Sequence, residues 1–144
     1  MAYHYPFNPL LSLIPFLQKW NGSFFESTTL YELGVAVPIG HPLGEICPLP
    51  HTRALTVLHT NGIHNVRVNF CGCQLGLDFR TQLLCFAWWP ATPLDPRSAA
   101  TFTVMRQFHY LNLQGNITAY DFYCGLEFQT TGRLDANFPV RHTF

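Results

Sequence analysis

The sequence predicts an α+β fold: a small antiparallel sheet around one β-hairpin, with two C-terminal helices packed on one face. Three observations predict the fold. Two apolar runs flank Asn61-Gly62, and a type I′ hairpin turn needs φ > 0 at both central residues, which this dipeptide tolerates. In the return run Val66, Val68 and Phe70 alternate with Asn65, Arg67 and Asn69, so one face is buried and the other is wet. From Asp95 onward the apolar spacing changes from the strand period to the helical one.

Residues 1–19 read as an irregular N-terminal segment, because Pro6, Pro9 and Pro15 interrupt any helix. Trp20 to Phe25 reads as a turn followed by a short strand. Thr29 and Glu32 have the spacing of a capping box, and Gly34 can close one or two helical turns ending at Leu33. Val35 to Ile39 is strand-like, and Pro38 confines it to an edge or a bulge. Residues 40–53 form a Pro/Gly loop carrying His41, Cys47 and His51. The hairpin pairs 54–60 with 63–71, and 82–89 is a third strand stopped by Pro90. Asp95-Pro96 opens a helix over 96–111, since Asp is a good N-cap and Pro suits the first helical position. Thr118 and Asp121 form a second capping box, opening a helix over 118–127. Residues 129–144 read as a loose tail, and the domain proper as 20–128.

The hairpin register decides which residues can share a site. A two-residue turn at Asn61-Gly62 pairs His59 with His64, Val57 with Val66 and Leu55 with Val68, and brings Thr52 opposite Cys71. His64 and Cys71 then lie roughly 23 Å apart along the strand, at about 3.3 Å per residue. A zinc site is far smaller, with Zn–S near 2.3 Å, so His59 and His64 cannot share a metal with Cys71 and Cys73. They read instead as a hydrogen-bonded cross-strand pair. The segment brought to the cysteine end is the upstream loop, with Cys47 and either His41 or His51 as partners. Cys85 and Cys124 read as small buried hydrophobes. Of Trp88 and Trp89, alternation buries one.

A chain of 144 residues with eight basic and eight acidic side chains has no basic footprint for nucleic acid, and Lys19 is its only lysine. So little charge on so aromatic a chain points to a surface that meets a partner. The apolar run Pro9–Leu17 is short, broken by Pro15 and lacks a basic flank, so neither a signal peptide nor a membrane span is expected. Five cysteines without a secretory signal indicate reduced thiols or a metal. No phosphate-binding Gly-rich loop, nucleophile elbow or His-Glu-x-x-His motif is present, and the acids are scattered.

Several stretches stand in the order of one family: Trp20-Asn21-Gly22-Ser23-Phe24-Phe25-Glu26, Gly40-His41-Pro42, Cys47-Pro48, Asn61-Gly62-Ile63-His64, Phe70-Cys71-Gly72-Cys73, Gln82-Leu83-Leu84, Trp88-Trp89-Pro90-Ala91-Thr92 and Ala119-Tyr120-Asp121-Phe122-Tyr123. Over about residues 15–128 the chain resembles the Cys-x-Cys cysteine-cluster domain found N-terminal to Kyakuja-Dileera-Zisupton transposases of mushroom-type fungi. The resemblance implies a zinc-chelating module beside a separate DNA-cutting domain, with His41, Cys47, Cys71 and Cys73 as ligands of one structural zinc. His51 is the alternative fourth ligand.

The chain also departs from that family. Pro15-Phe16 is followed by Leu17 where relatives continue with His, and no cysteine precedes Cys47, so residues 1–19 read as the remnant of an upstream Cys/His-rich region. The expectation is a truncated, non-catalytic accessory module of a transposase-derived protein. It would be intracellular and nuclear, would work with a protein partner such as the transposase chain, and would have weak or no direct contact with nucleic acid and none with membranes. The alternatives are a metal-free degenerate remnant and an enzyme using Cys73 with a nearby histidine.

Overall fold

The computed structural model describes residues 17–42, 44–73 and 77–131. Along the chain lie β1 (Gln18–Trp20), β2 (Phe25–Ser27), β3 (Ala36–Pro38), β4 (Pro50–His59), β5 (Gly62–Cys71), α1 (Phe79–Cys85), β6 (Trp88–Pro90), β7 (Ser98–Thr101), α2 (Phe102–Gly115) and α3 (Ala119–Thr131). The fold is a mixed α+β arrangement. Among the described residues, β1 and β2 form a small antiparallel sheet, and the larger sheet has the order β3-β5-β4-β7-β6.

The β4–β5 hairpin forms as expected, but two residues out of the expected register. His59 pairs with Gly62, Val57 with His64, Leu55 with Val66 and Pro50 with Cys71. An even shift leaves every side chain on its face. Val66, Val68 and Phe70 are accordingly buried with Leu55 and Val57, and each contributes about 1.5–3 kcal/mol by burial. The wet face supplies the reason for the shift. Thr52 donates to Asn69 (2.6 Å) and Thr56 to Asn65 (3.0 Å), both across directly opposed pairs. The expected register would have set Cys71 and Arg67 opposite those threonines. Gly62 alone takes positive φ at this turn (138°), so the turn is not type I′.

His59 and His64 are therefore not a bonded pair. His59 Nδ1 lies 2.9 Å from Thr101 Oγ1, and His64 Nε2 lies 2.8 Å from Asn61 Oδ1. Both pKa values are lowered by burial, and His64 also by the charge of His59.

The larger sheet is mixed. β3 is an edge strand, consistent with Pro38, but it runs parallel to β5, and β7 runs parallel to β4. The third expected strand, 82–89, is divided. Its first half is helix α1, where Asp78 caps the N-terminus by accepting from the Thr81 N–H (3.0 Å). A turn through Ala87 (φ 59°) leads into the short β6. A short apolar run looks the same whether it is a buried strand or a buried helix segment. Cys85, at the end of α1, is exposed, contrary to expectation, and Cys124 is half-buried. Trp88 is fully buried (0% exposed) and Trp89 is not (52%), as alternation required.

The helix expected at Asp95-Pro96 begins at Phe102 instead. The Asp95 carboxylate is taken by Arg53 and by Arg97 (3.6 Å). Residues 98–101 join the sheet beside Thr56–Leu58, and the Thr101 hydroxyl then caps α2 by accepting from the Val104 N–H (3.3 Å). At Thr118 the expected cap forms in half: the Thr118 hydroxyl accepts from the Asp121 N–H (3.1 Å) and donates to the Asp121 carboxylate (2.6 Å), and α3 runs on to Thr131. Phe108 and Phe122 hold the two helices together (5.3 Å between ring centres), and the Thr130 hydroxyl accepts from the Ile63 N–H (2.6 Å).

The Thr29–Glu32 box also forms (3.0 and 3.2 Å) and closes at Gly34 (φ 71°), but as a turn rather than a helix. Most of the segments 1–19 and 129–144 lies outside the described residues. Where they enter, 18–20 is strand and 129–131 is helix. Among the described residues, no helix is long and apolar enough to cross a membrane.

Candidate metal centre

Three segments meet at the C-terminal end of β5, the strand between β3 and β4. Because β3 is parallel to β5, with Pro38 level with Asn69 and the Ile39 N–H bonded to the Asn69 carbonyl (3.0 Å), the chain leaving β3 arrives beside Cys71. Because β4 is antiparallel, with Pro50 opposite Cys71, the chain entering β4 arrives from the other side, and the Gly72 N–H donates to the Leu49 carbonyl (2.9 Å). His41 comes from the first neighbour, Cys47 from the second, and Cys71 and Cys73 from the central strand's own end.

His41 Nε2 lies 3.0 Å from Cys71 Sγ and 3.2 Å from Cys73 Sγ, and the two sulfurs are 3.0 Å apart. The ligand atoms of His41, Cys47, Cys71 and Cys73 all lie within 4.8 Å of one another. A tetrahedron with metal–sulfur bonds near 2.3 Å needs donors about 3.8 Å apart, within the range these positions span. The four residues lie close together and could bind a metal.

Two glycines permit this approach. Gly40 has φ 86°, and a Cβ there would sit 2.7 Å from the Cys71 Cβ and 2.8 Å from Gln82 Oε1. A Cβ on Gly72 would sit 2.6 Å from the His51 ring and 2.8 Å from the Leu49 carbonyl.

His51 stands outside the group. It pairs with Phe70, one residue before Cys71, and successive strand residues point to opposite faces. Its ring lies instead edge-on to Phe79 (6.3 Å). The expected and the observed register both bring the upstream loop to the cysteine end.

The cluster resists full deprotonation by itself. Burial works against ionising Cys47, but N–H donors of Leu49 and Gly72, with Cys71 and His41, outweigh it and bring its pKa to about 6. The bond to Cys71, burial and the charge of Cys47 push Cys73 up to about 12. His41 is raised by its bond to Cys47, against burial and with help from Cys71. The groups that favour the Cys47 thiolate thus work against ionising Cys73 beside it. A bound cation removes that barrier, because a coordinating thiol deprotonates outright.

Two residues with no assigned role in the sequence reading complete the surroundings. Glu45 Oε2 faces the outer ring nitrogen of His41 (Nδ1, 3.7 Å), one turn-like step along the loop, and leaves Nε2 directed at the sulfurs. Gln82, 1% exposed, grips the backbone of Cys71: the Cys71 N–H donates to Gln82 Oε1 (2.7 Å), and Gln82 Nε2 donates to the Cys71 carbonyl (2.9 Å). A lone polar residue at the head of the apolar run 82–89 was the available signal.

Residues 30–133 match the family described as CxC2 like cysteine cluster associated with KDZ transposases. No curated protein and no solved structure matches the chain. The matched span covers both ends of the cluster, His41 to Cys73, and well over half of the sequence, and the chain belongs to the CxC2-like cysteine-cluster family associated with KDZ transposases.

Proposed function

We propose that this chain is a zinc-stabilised, non-catalytic interaction module of a transposase-derived protein. The observation that carries the reading is the convergence of three thiols and one imidazole, from three segments, within 4.8 Å at one strand end. Three soft thiolates with one imidazole suit zinc, and four protein ligands fill a tetrahedral shell, leaving no position for the water a catalytic zinc would hold. The ion clamps the loop around His41 and Cys47 to the end of the hairpin. Its place in the cell is the nucleus, and its partner is protein, the transposase chain or one like it.

Direct DNA binding is weak on this reading. Eight basic and eight acidic residues leave no net field, and counterion release supplies most non-specific affinity. A dissociation constant of about 10⁻⁴ M or weaker is expected at physiological salt. The isolated chain should show no strand nicking with or without divalent metal.

Metal analysis of the purified full chain tests the core of the reading. One zinc per chain is expected. A chain that is folded, reduced and free of metal, and that stays so in excess zinc, overturns it in favour of the metal-free remnant. A pull-down against the transposase chain and against transposon-end DNA tests the partner.

A further inference from the structure

We propose that Gln82 is a positioning residue of the metal centre, fixing the backbone of Cys71 before any metal arrives; this rests on the metal reading above. β3 stops pairing at Pro38, opposite Asn69, so the ladder on that side of β5 ends two residues short of Cys71. The primary amide of Gln82 takes over there. It offers one acceptor and one donor with the polarity of a strand residue, and it closes both bonds on Cys71 at 2.7 and 2.9 Å. A third bond, from Nε2 to the Leu77 carbonyl (3.1 Å), anchors the chain beyond the Cys-Gly-Cys bend. Gly40 closes the other side, with Gln82 Oε1 2.8 Å from where its Cβ would be. One buried side chain on α1 thereby sets the spacing between the His41 loop, Cys71 and the segment after Cys73.

The chemistry singles out glutamine. Glutamate would keep an acceptor for the Cys71 N–H but lose the donor that serves two carbonyls, and would add a negative charge beside the thiolates. Methionine or leucine would leave the Cys71 N–H and carbonyl without this partner. Groups that orient metal ligands from outside the first shell affect metal affinity by about 10–100-fold.

The test uses the full chain, titrated with Co²⁺ and Zn²⁺ against a competing chelator, in wild type, Gln82→Glu, Gln82→Met and Leu83→Ala. Leu83 is fully buried on the same helix as part of the hydrophobic core, so its variant reports loss of core packing. Gln82→Glu and Gln82→Met should bind 10–100-fold more weakly, with the thiolate-to-cobalt absorption band retained. Leu83→Ala should melt at a lower temperature yet keep its affinity within about threefold, a shift well below the range for such orienting groups. A folded Gln82 variant with wild-type affinity overturns the proposal while leaving the metal reading intact. A wild-type chain that takes up neither ion overturns both. A further measurement needs no variant. In metal-free wild-type protein the Gln82 side-chain NH₂ protons should exchange slowly with solvent, and fast exchange contradicts a frame set before metal binding.

Discussion

His41 and Cys71 are thirty residues apart in the chain, yet His41 Nε2 lies 3.0 Å from Cys71 Sγ. Parallel pairing produces this. Strands running the same way deliver their C-terminal ends to the same place, and the antiparallel neighbour delivers its N-terminal approach there as well. The cluster is therefore a property of one end of the sheet.

Loss of a thiol from the cluster should unfold the His41–Cys47 loop. Zinc contributes about 10–16 kcal/mol in zinc-finger peptides, comparable to a whole domain's stability. Cys71→Ser or Cys73→Ser should lower the melting temperature of zinc-loaded protein by about 10 °C or more, given roughly 2–4 °C per kcal/mol at this size. Cys85→Ser and Cys124→Ser should move it by about 2 °C or less, as expected away from such features. His51→Ala should leave the metal content unchanged. Equal effects at Cys85 and Cys71 would argue that no metal is held.

Gly40→Ala should cost more than Gly34→Ala, although both glycines sit at positive φ (86° and 71°). The left-handed conformation alone costs a side-chain-bearing residue about 1–2 kcal/mol. Gly34 has open space around its missing Cβ, so that cost is the whole effect. At Gly40 the added carbon meets Cys71 and Gln82 as well, and metal affinity should fall together with stability. Thermal melts with and without zinc separate the two contributions.

Stability should fall as pH drops below about 6.5, the ordinary value for histidine. Burial lowers the pKa of His59 and of His64 in the folded chain. Between the ordinary and the lowered values the unfolded chain binds protons that the folded chain refuses, so the stability present above 6.5 is lost on acidification. The loss should be smaller in His64→Gln. Acid release of metal acts equally on both chains, so it does not affect the difference, which urea denaturation at pH 7.5 and pH 5.5 measures. An identical loss in the two chains would contradict the assignment to His64.

The two tryptophans should behave oppositely. Trp88 packs edge-on against Phe86 (5.2 Å) within the core and is fully buried, so Trp88→Ala should cost about 3–5 kcal/mol. Trp89 is half-exposed, and Trp89→Ala should stay within about 0.5 kcal/mol. Urea midpoints at constant slope give both numbers.

The sequence by itself determined what is local. Side-chain alternation from Val66 to Phe70 and at Trp88–Trp89 follows from the strand's own geometry. The Thr29 and Thr118 boxes follow from which side chains can reach an N–H three residues on, and the edge position of β3 follows from a proline that cannot donate. The choice between His41 and His51 stayed open in the sequence, and the structure settles which one lies with the sulfurs: His51 pairs with Phe70 and shares its face, not that of Cys71. Tertiary structure decided the rest. A two-residue slip leaves the period of the pattern untouched, so alternation could not see that Thr52–Asn69 and Thr56–Asn65 would fix the pairing. The slip is only about 7 Å, against roughly 23 Å between the hairpin's two ends, which is why the cysteine end was found from the wrong register. Parallel placement of β3 and β7, capture of Asp95 by Arg53, and the grip of Gln82 on Cys71 join residues far apart in the chain. Such contacts depend on which strands become neighbours, and no spacing within a single segment encodes that.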